Sequence, residues 1–384
     1  MPSTNLIPRQ FLRRFNEQVA SPNERRILDW VRRNPGETRA RIMHELDLSA
    51  QSVSRLTDTL EKRGLIEQGE RVISGRGQPS VALSLTQNAA YTVGISIMTD
   101  AISLVFMNFR GEIVYQHRSI LASMDQAAVL GTCKNVFEAG IKAGSIPAER
   151  LFGIGIAFSG FFIGQGNLMN PVPALEDFAL IDLEALFSET FERPVWVDND
   201  GNAAAVGESL VGVGAWSNTF AYLFFTAGFG GGLVVDGQPF RGAFGNAGEF
   251  GAILPPEKHD ERPTLELLRM MIAQQGGPQF RSLSSMVDAF DPDWPGVSAW
   301  IEHVTPQVSL IASAICAVAD PEAIVFGGAM PPALAERLIP HIRINNFVRR
   351  GLQRPEPKLV PSATAGDTTA IGAAALPLKH TFFL

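Results

Sequence analysis

The hydrophobic positions change period along the chain, and that change divides it. From residue 21 apolar residues recur at helical spacing. Ser21-Pro22-Asn23-Glu24 supplies an N-cap, a proline at the first helical position and an acid in the first turn. Ile27, Leu28 and Val31 make the apolar stripe with Trp30 beside it, and Asn34-Pro35-Gly36 ends it. Residues 38–46 predict a second short helix with Ile42, Met43 and Leu46 inward. A third helix is predicted from about Ser49, its N-cap, to Arg63, with Val53, Leu56 and Leu60 inward and Gly64 as the closing glycine. Leu65-Ile66-Glu67 and the alternating Val81-Ala82-Leu83-Ser84-Leu85 then predict two strands of a hairpin. The loop between them carries Arg71, Arg76, Gly77 and Gln78. Residues 1–20, with Arg9, Arg13 and Arg14 around Phe11, Leu12 and Phe15, predict a short helix or an arm.

Beyond residue 90 the pattern becomes strands alternating with helices, which predicts an α/β sheet core. Strands are expected at 91–97, 102–108, 113–115, 151–158, 194–197, 220–225, 232–235 and 323–326. Helices are expected at 126–143, from about 203 to 210, and at 304–319. Residues 209–235 hold no charge, but the glycines from Gly212 to Gly232 suit a buried strand and a glycine-rich turn better than a membrane span. Gly160, Gly228 to Gly232 and Gly327-Gly328 all fall just after strands, where a backbone turn can approach a ligand.

Charge sharpens the division. Residues 1–86 hold 14 Lys+Arg and 10 Asp+Glu, a net of +4; the remainder holds 18 and 29, a net of −11. A basic head on an acidic body predicts that the head alone meets a polyanion. The boundary is placed at residues 1–86 and 87–384. Two cysteines, Cys133 and Cys316, with no CxxC pair, exclude a thiolate zinc site and suit buried free thiols in a reducing cytoplasm. The N-terminal residues carry charges and no apolar core, so no signal peptide is expected.

Two sets of residues carry candidate chemistry. Three helices followed by a basic-tipped hairpin form a winged helix-turn-helix pattern. Ser49, Gln51, Ser52, Ser54 and Arg55 would face double-stranded DNA from the third helix, and Arg76 with Gln78 from the wing. A protein-interaction module with ordinary surface charges is the alternative. The second set is Val197-Asp198-Asn199-Asp200-Gly201-Asn202, just past a strand end, with Asn246-Ala247-Gly248-Glu249. Carboxylates and amides together suit a polyhydroxy ligand, since they hold hydroxyls as acceptors and donors. The competing reading is that Asp198 and Asp200 cap the following helix.

At these residues the chain resembles the ROK family, in its repressor branch. The resemblance spans the winged helix, Gly75-Arg76-Gly77-Gln78-Pro79, Gly153-Ile154-Gly155-Ile156-Ala157, Asn199 to Asn202, Gly228 to Gly232, Asp236-Gly237, Gly242, Asn246 to Glu249, and Gly327-Gly328. It implies an actin-like, hexokinase-like body of two lobes. It also implies that Gly160, Asn199, Asp200 and Glu249 line a sugar site, with Asp200 the base in a kinase. The departures matter equally. Ser96 stands where family kinases carry the aspartate that positions Mg-ATP, Met98 fills a glycine position, and Thr226-Ala227-Gly228 stands where the second phosphate motif reads Gly-Thr-Gly, so that threonine hydroxyl is gone. Without both motifs phosphoryl transfer should fail. Ala252 replaces the family histidine, and residues 255–300 hold no cysteine, so neither zinc nor any cofactor is expected; His259 reads as a surface residue. The expectation is a non-enzymatic, sugar-responsive repressor that acts as a homodimer or homotetramer on a DNA operator. A sugar kinase with a DNA-binding head and a repressor gated by a protein partner are the alternatives.

Overall fold

The computed structural model describes residues 6–13, 18–72, 80–164, 168–364 and 366–384. The chain forms two compact units: Met1–Ser159 with Pro171–Asp198 and Ala373–Leu384, and Gly160–Asn170 with Asn199–Gly372.

The first unit opens with α1 (Pro22–Arg33), β1 (Glu37–Thr38), α2 (Arg39–Leu46), α3 (Ala50–Lys62), β2 (Ile66–Val72) and β3 (Ser80–Leu85). The N-cap expected at Ser21 is a full capping box: its hydroxyl accepts from the Glu24 N–H while the Glu24 carboxylate accepts from the Ser21 N–H at 2.7 Å. The three short strands align as β1-β3-β2, completing a winged helix. Strand β1 escapes sequence reading because two residues show no period. Arg71 lies within β2, not in the loop, and the wing tip with Arg76 and Gln78 falls outside the described residues. In α2 only Ile42 is buried; Met43, expected inward, is exposed.

The same unit continues with β4 (Tyr91–Ile97), β5 (Ala101–Asn108), β6 (Ile113–Ile120), α4 (Gln126–Ala143) and β7 (Leu151–Phe158). Strands β4, β5 and β7 are buried throughout, with Thr92, Ser96, Ser103 and Asn108 buried among their mostly apolar residues. Burial pushes the Cys133 thiol of α4 up to about 12; Cys316, expected buried, is half-buried. Strands β8 (Gly160–Phe162) and β9 (Met169–Pro171) come next, pair with each other and fall almost wholly in the second unit; the first unit resumes with α5 (Leu183–Phe191) and β10 (Val195–Asn199), giving it a five-stranded sheet of order β10-β7-β4-β5-β6.

The second unit holds α6 (Asp200–Val211), β11 (Phe220–Phe225), β12 (Phe229–Val235), β13 (Gln238–Pro239), α7 (Leu265–Gln274), α8 (Leu283–Asp288), α9 (Val297–Ala319), β14 (Ala323–Gly328), α10 (Pro332–Leu338) and β15 (Lys358–Pro361). Its sheet runs β13-β12-β11-β14-β15. Here two expectations are corrected. Gly230 to Gly232 lie inside β12, and the turn is only Thr226 to Gly228. The glycines serve close approach: a side chain at Gly231 would strike the Tyr222 carbonyl and the Phe250 ring, and one at Gly232 would stand 2.7 Å from the Ala205 methyl. Helix α9 begins two turns earlier than its sequence suggests, because Val297, Trp300, Ile301 and Val304 extend one buried stripe. It is the one described helix long and apolar enough to cross a membrane, and half of it is buried in this core.

Helix α11 (Thr368–Thr381) begins in the second unit and its remainder belongs to the first. Within the first unit the chain end joins the head to the body. Phe382 and Phe383 pack with Phe109 at 5.0 and 5.3 Å, and Phe11 meets Phe152 and Phe382 edge-on at 5.1 and 6.2 Å. Arg25 of α1 donates to the Lys379 carbonyl at 2.9 Å and twice to the Phe383 carbonyl.

Candidate functional site

Strand β10 delivers the chain to α6 through Asn199, whose backbone is extended (φ −64°, ψ 150°). Its side-chain oxygen accepts from Gly201 N at 2.8 Å and Asn202 N at 3.3 Å, so Asn199 is the N-cap. The capping role considered for Asp198 and Asp200 therefore falls to neither of them: the cap is the last non-helical residue, and that is Asn199. Asp200 becomes the first helical residue, where the positive end of the helix favours its carboxylate. Its Oδ1 accepts from Gly201 N at 2.8 Å.

Around this corner the second unit gathers polar groups. The Asn199 amide donates to the Gly160 carbonyl at 2.7 Å. Asn202 is buried and donates to the Gly245 carbonyl at 3.4 Å. Asn246 holds Phe162 by both backbone atoms, accepting from its N–H and donating to its carbonyl, each at 2.8 Å. Arg241 stacks over the Phe162 ring at 4.7 Å. Gly248, at φ 105°, leads to Glu249. Burial pushes the Glu249 carboxyl above its ordinary value, the neighbouring charge of Asp200 raises it further, and Arg262 opposes both. Gly160, Asn199, Asp200 and Glu249 thus share one neighbourhood. The arrangement offers carboxylate acceptors and amide groups to a ligand rich in hydroxyls. Asn202 was read from sequence as part of the Asn199-Asp200-Gly201-Asn202 run without being assigned to the ligand, whereas Arg262 had no signal.

The residues associated with phosphoryl transfer look different. Ser96 is fully buried in β4, and its hydroxyl has no hydrogen-bond partner among the described residues. The Thr226 hydroxyl is folded onto its own turn, accepting from Gly228 N at 3.3 Å. His259 is exposed, as expected, and its carbonyl accepts from Arg262.

On α3, Ser49 caps the helix by accepting from Ser52 N at 3.2 Å, and the two hydroxyls bond each other at 2.9 Å. Ser54 is half-buried, while Gln51 and Arg55 are exposed. Arg39 of α2 pairs with Asp58 at 2.6 Å, on the same face of α3 as Gln51, Ser54 and Arg55 and one to two turns further along. Near the N-terminal end of α3, Gln51 and Arg55 thus present their side chains to solvent.

A winged helix joined to two units of this topology defines a class. Residues 92–263 match the ROK family model, and residues 21–76 match the MarR family model. The chain therefore carries a ROK domain together with a MarR-type winged helix-turn-helix. It is 28% identical to an uncharacterized protein, y4fQ, of Sinorhizobium fredii, over 94% of this chain and 92% of that one. It is 29% identical to a xylose repressor of Caldicellulosiruptor bescii over 60% of this chain, and 27% identical to the Bacillus subtilis xylose repressor over 61%. These matches span 57% and 60% of the two repressors' own length. In fold it is similar to a ROK family transcriptional regulator described as a homologue of the E. coli MLC protein (TM-score 0.64, 20% identity, 92% of this chain and 95% of that one). It is also similar to a ROK hexokinase from Thermus thermophilus (TM-score 0.55, 22% identity, 76% and 99%).

Proposed function

We propose that this protein is a DNA-binding transcription repressor whose activity is set by a sugar or sugar-like effector. The observation that carries the reading is the joining of a winged helix to a body in which Asp200, the first residue of a helix, follows Asn199, whose amide is held on the Gly160 carbonyl. Asn199, Asp200 and Glu249 hold effector hydroxyls, and Gly160 supplies a backbone wall. Residues 1–86 are the DNA-binding domain and 87–384 the effector domain. Gln51 and Arg55 read base edges; Ser49, Ser52 and Ser54 lie at the same helix end, and Arg76 and Gln78 reach the duplex from the wing. The relatives named xylose repressor support a carbohydrate-linked operator. Work on an operator places the protein in the cytoplasm, as an oligomer whose symmetry matches a two-fold site.

The body is not an enzyme in this reading. Ser96 offers a hydroxyl where charge neutralisation by a metal ligand is required, and the Thr226 hydroxyl is spent within its turn. The likeness to a ROK hexokinase and the retained Asp200 favour a kinase as the second reading. ATP turnover with a panel of sugars decides between them, and none is expected.

The direct test is the melting temperature against sugars and polyols. One compound should raise it by several degrees, because a ligand that binds only the folded state stabilises it. Asp200→Ala should abolish the shift while melting normally without ligand. A shift that survives in Asp200→Ala would remove this site from consideration.

A further inference from the structure

The chain passes between its two units at four places, and only one of these passages is a helix: α11, which is divided between Gly372 and Ala373. Its first turns belong to the second unit. The Asp367 carboxylate accepts from Ala370 N at 3.0 Å, and the Thr368 hydroxyl donates to the Gly328 carbonyl at 3.4 Å. Gly372 then lies backbone to backbone on α6. A methyl on Gly372 would overlap the Ala203 carbonyl, and one on Gly207 would stand 2.9 Å from the Gly372 Cα. Ala203 sits one turn past Asp200, on the helix that begins at the candidate effector residues. No side chain stands at this crossing to absorb a shift of α6.

The remainder of α11 belongs to the first unit. Gly155 of β7 faces the Ala373 carbonyl with no room for a side chain, and the Thr92 hydroxyl of β4 donates to the Ala374 carbonyl at 2.7 Å. Ala370, Ala373, Ala374 and Ala375 are all fully buried. The head holds the far end: Arg25 of α1 takes the Lys379 and Phe383 carbonyls, and Arg32 lies over the Phe383 ring. Phe11, ahead of α1, meets Phe382 edge-on. One buried helix thus touches the helix of the candidate effector site near its start and the first helix of the winged head at its end. Close-packed interiors of this kind pass displacement on, because they have few voids to take it up.

We propose that α11 is the route by which effector occupancy reaches the DNA-binding head: a movement of α6 shifts α11, and α11 carries the shift to Arg25 and α1. The proposal rests on the effector-gated reading and supplies the element that both sites bias.

Amide hydrogen exchange of the full chain tests the route with no effector present. Gly372→Ala and Gly207→Ala each press α6 and α11 apart, whereas Val308→Ala weakens the same unit from its α9 core. Amides of α1 should exchange roughly tenfold faster or more in the two glycine variants, with an unchanged circular dichroism spectrum, and at the wild-type rate in Val308→Ala. Wild-type exchange of α1 in both glycine variants overturns the proposal. So does an equal quickening in Val308→Ala, since the effect would then be one of general stability. Should neither glycine variant fold, Thr92→Val, which keeps the side chain's shape and drops the bond to Ala374, is read in the same way. The effector reading stands or falls separately. If no sugar moves the melting temperature while α1 responds to the glycine variants, the route holds and the sugar reading fails. If a sugar acts through Asp200 while α1 stays unresponsive, the effector site holds and the route fails.

Discussion

Lys379 shows how a single residue can report on the whole chain. It is 1% exposed at the junction of head and body, and its ammonium has no hydrogen-bond partner among the described residues. Burial pushes it down from 10.5 to about 7; Asp29 pulls it up, and Arg32, Arg33 and Arg25 push it further down. The unfolded chain keeps this proton up to about pH 10.5, and the folded chain releases it near 7. Between those values the unfolded state binds more protons, so stability rises with pH and levels off below 7. Thermal melts of the wild type from pH 7 to 9 should show this rise. Lys379→Met should melt higher at pH 7 and show a flatter profile, because an apolar side chain of similar length needs no deprotonation to be buried. Equal slopes in the two proteins would remove Lys379 as the source. Its burial was not legible in the sequence: Lys379 sits in an apolar stretch near the chain end, and only the docking of α1 closes it from water.

At the scale of elements, α1 and α11 are the pair that matters. The Ser21 capping box and the stripe of Ile27, Leu28 and Val31 build α1 from local signals alone. What α1 packs on comes from the far end of the chain. Arg25 satisfies the carbonyls of Lys379 and Phe383 at the end of α11, and Arg32 lies over the Phe383 ring at 5.7 Å. Carbonyls at a helix C-terminus lack internal partners, and a guanidinium there supplies several donors at once. Arg25→Ala should cost about 1–3 kcal/mol in denaturant unfolding, the range for losing charged hydrogen bonds to buried carbonyls. It should also speed proteolysis between head and body. If cleavage does not quicken, this contact does not hold the head. Strand β12 teaches a related lesson. Three consecutive glycines read as a turn, yet they lie in a strand, and at Gly231 and Gly232 the neighbours from β11 and α6 lie too close for a side chain.

For the whole molecule, the proposal is that one chain binds two ligands that bias each other. If a sugar changes operator affinity by some factor, the operator must change sugar affinity by the same factor. Titrating the effector found by thermal shift, with and without operator DNA, should give the same ratio of affinities as titrating DNA with and without effector. Unequal ratios at equilibrium would mean that the two species are not binding the same folded protein. A sugar bound tightly but equally in both titrations would show an effector site that does not regulate.

Much of this molecule was determined by its sequence alone. The strands Tyr91–Ile97 and Leu151–Phe158, the helix Gln126–Ala143 and the helices of the head follow from periodicity and caps, which are local properties of the chain. The motif order around Asn199, Asp200 and Glu249 marked the candidate ligand residues. Tertiary structure decided which of them does which task. It made Asn199 the cap and put Asp200 at the helix start, and it set Glu249 in Asp200's field and added Arg262 from elsewhere. It also decided that residues near the far end of the chain would hold the head, through Arg25 and the Lys379 and Phe383 carbonyls. Those outcomes join residues far apart in sequence, and no local pattern carries information about partners that only folding brings together.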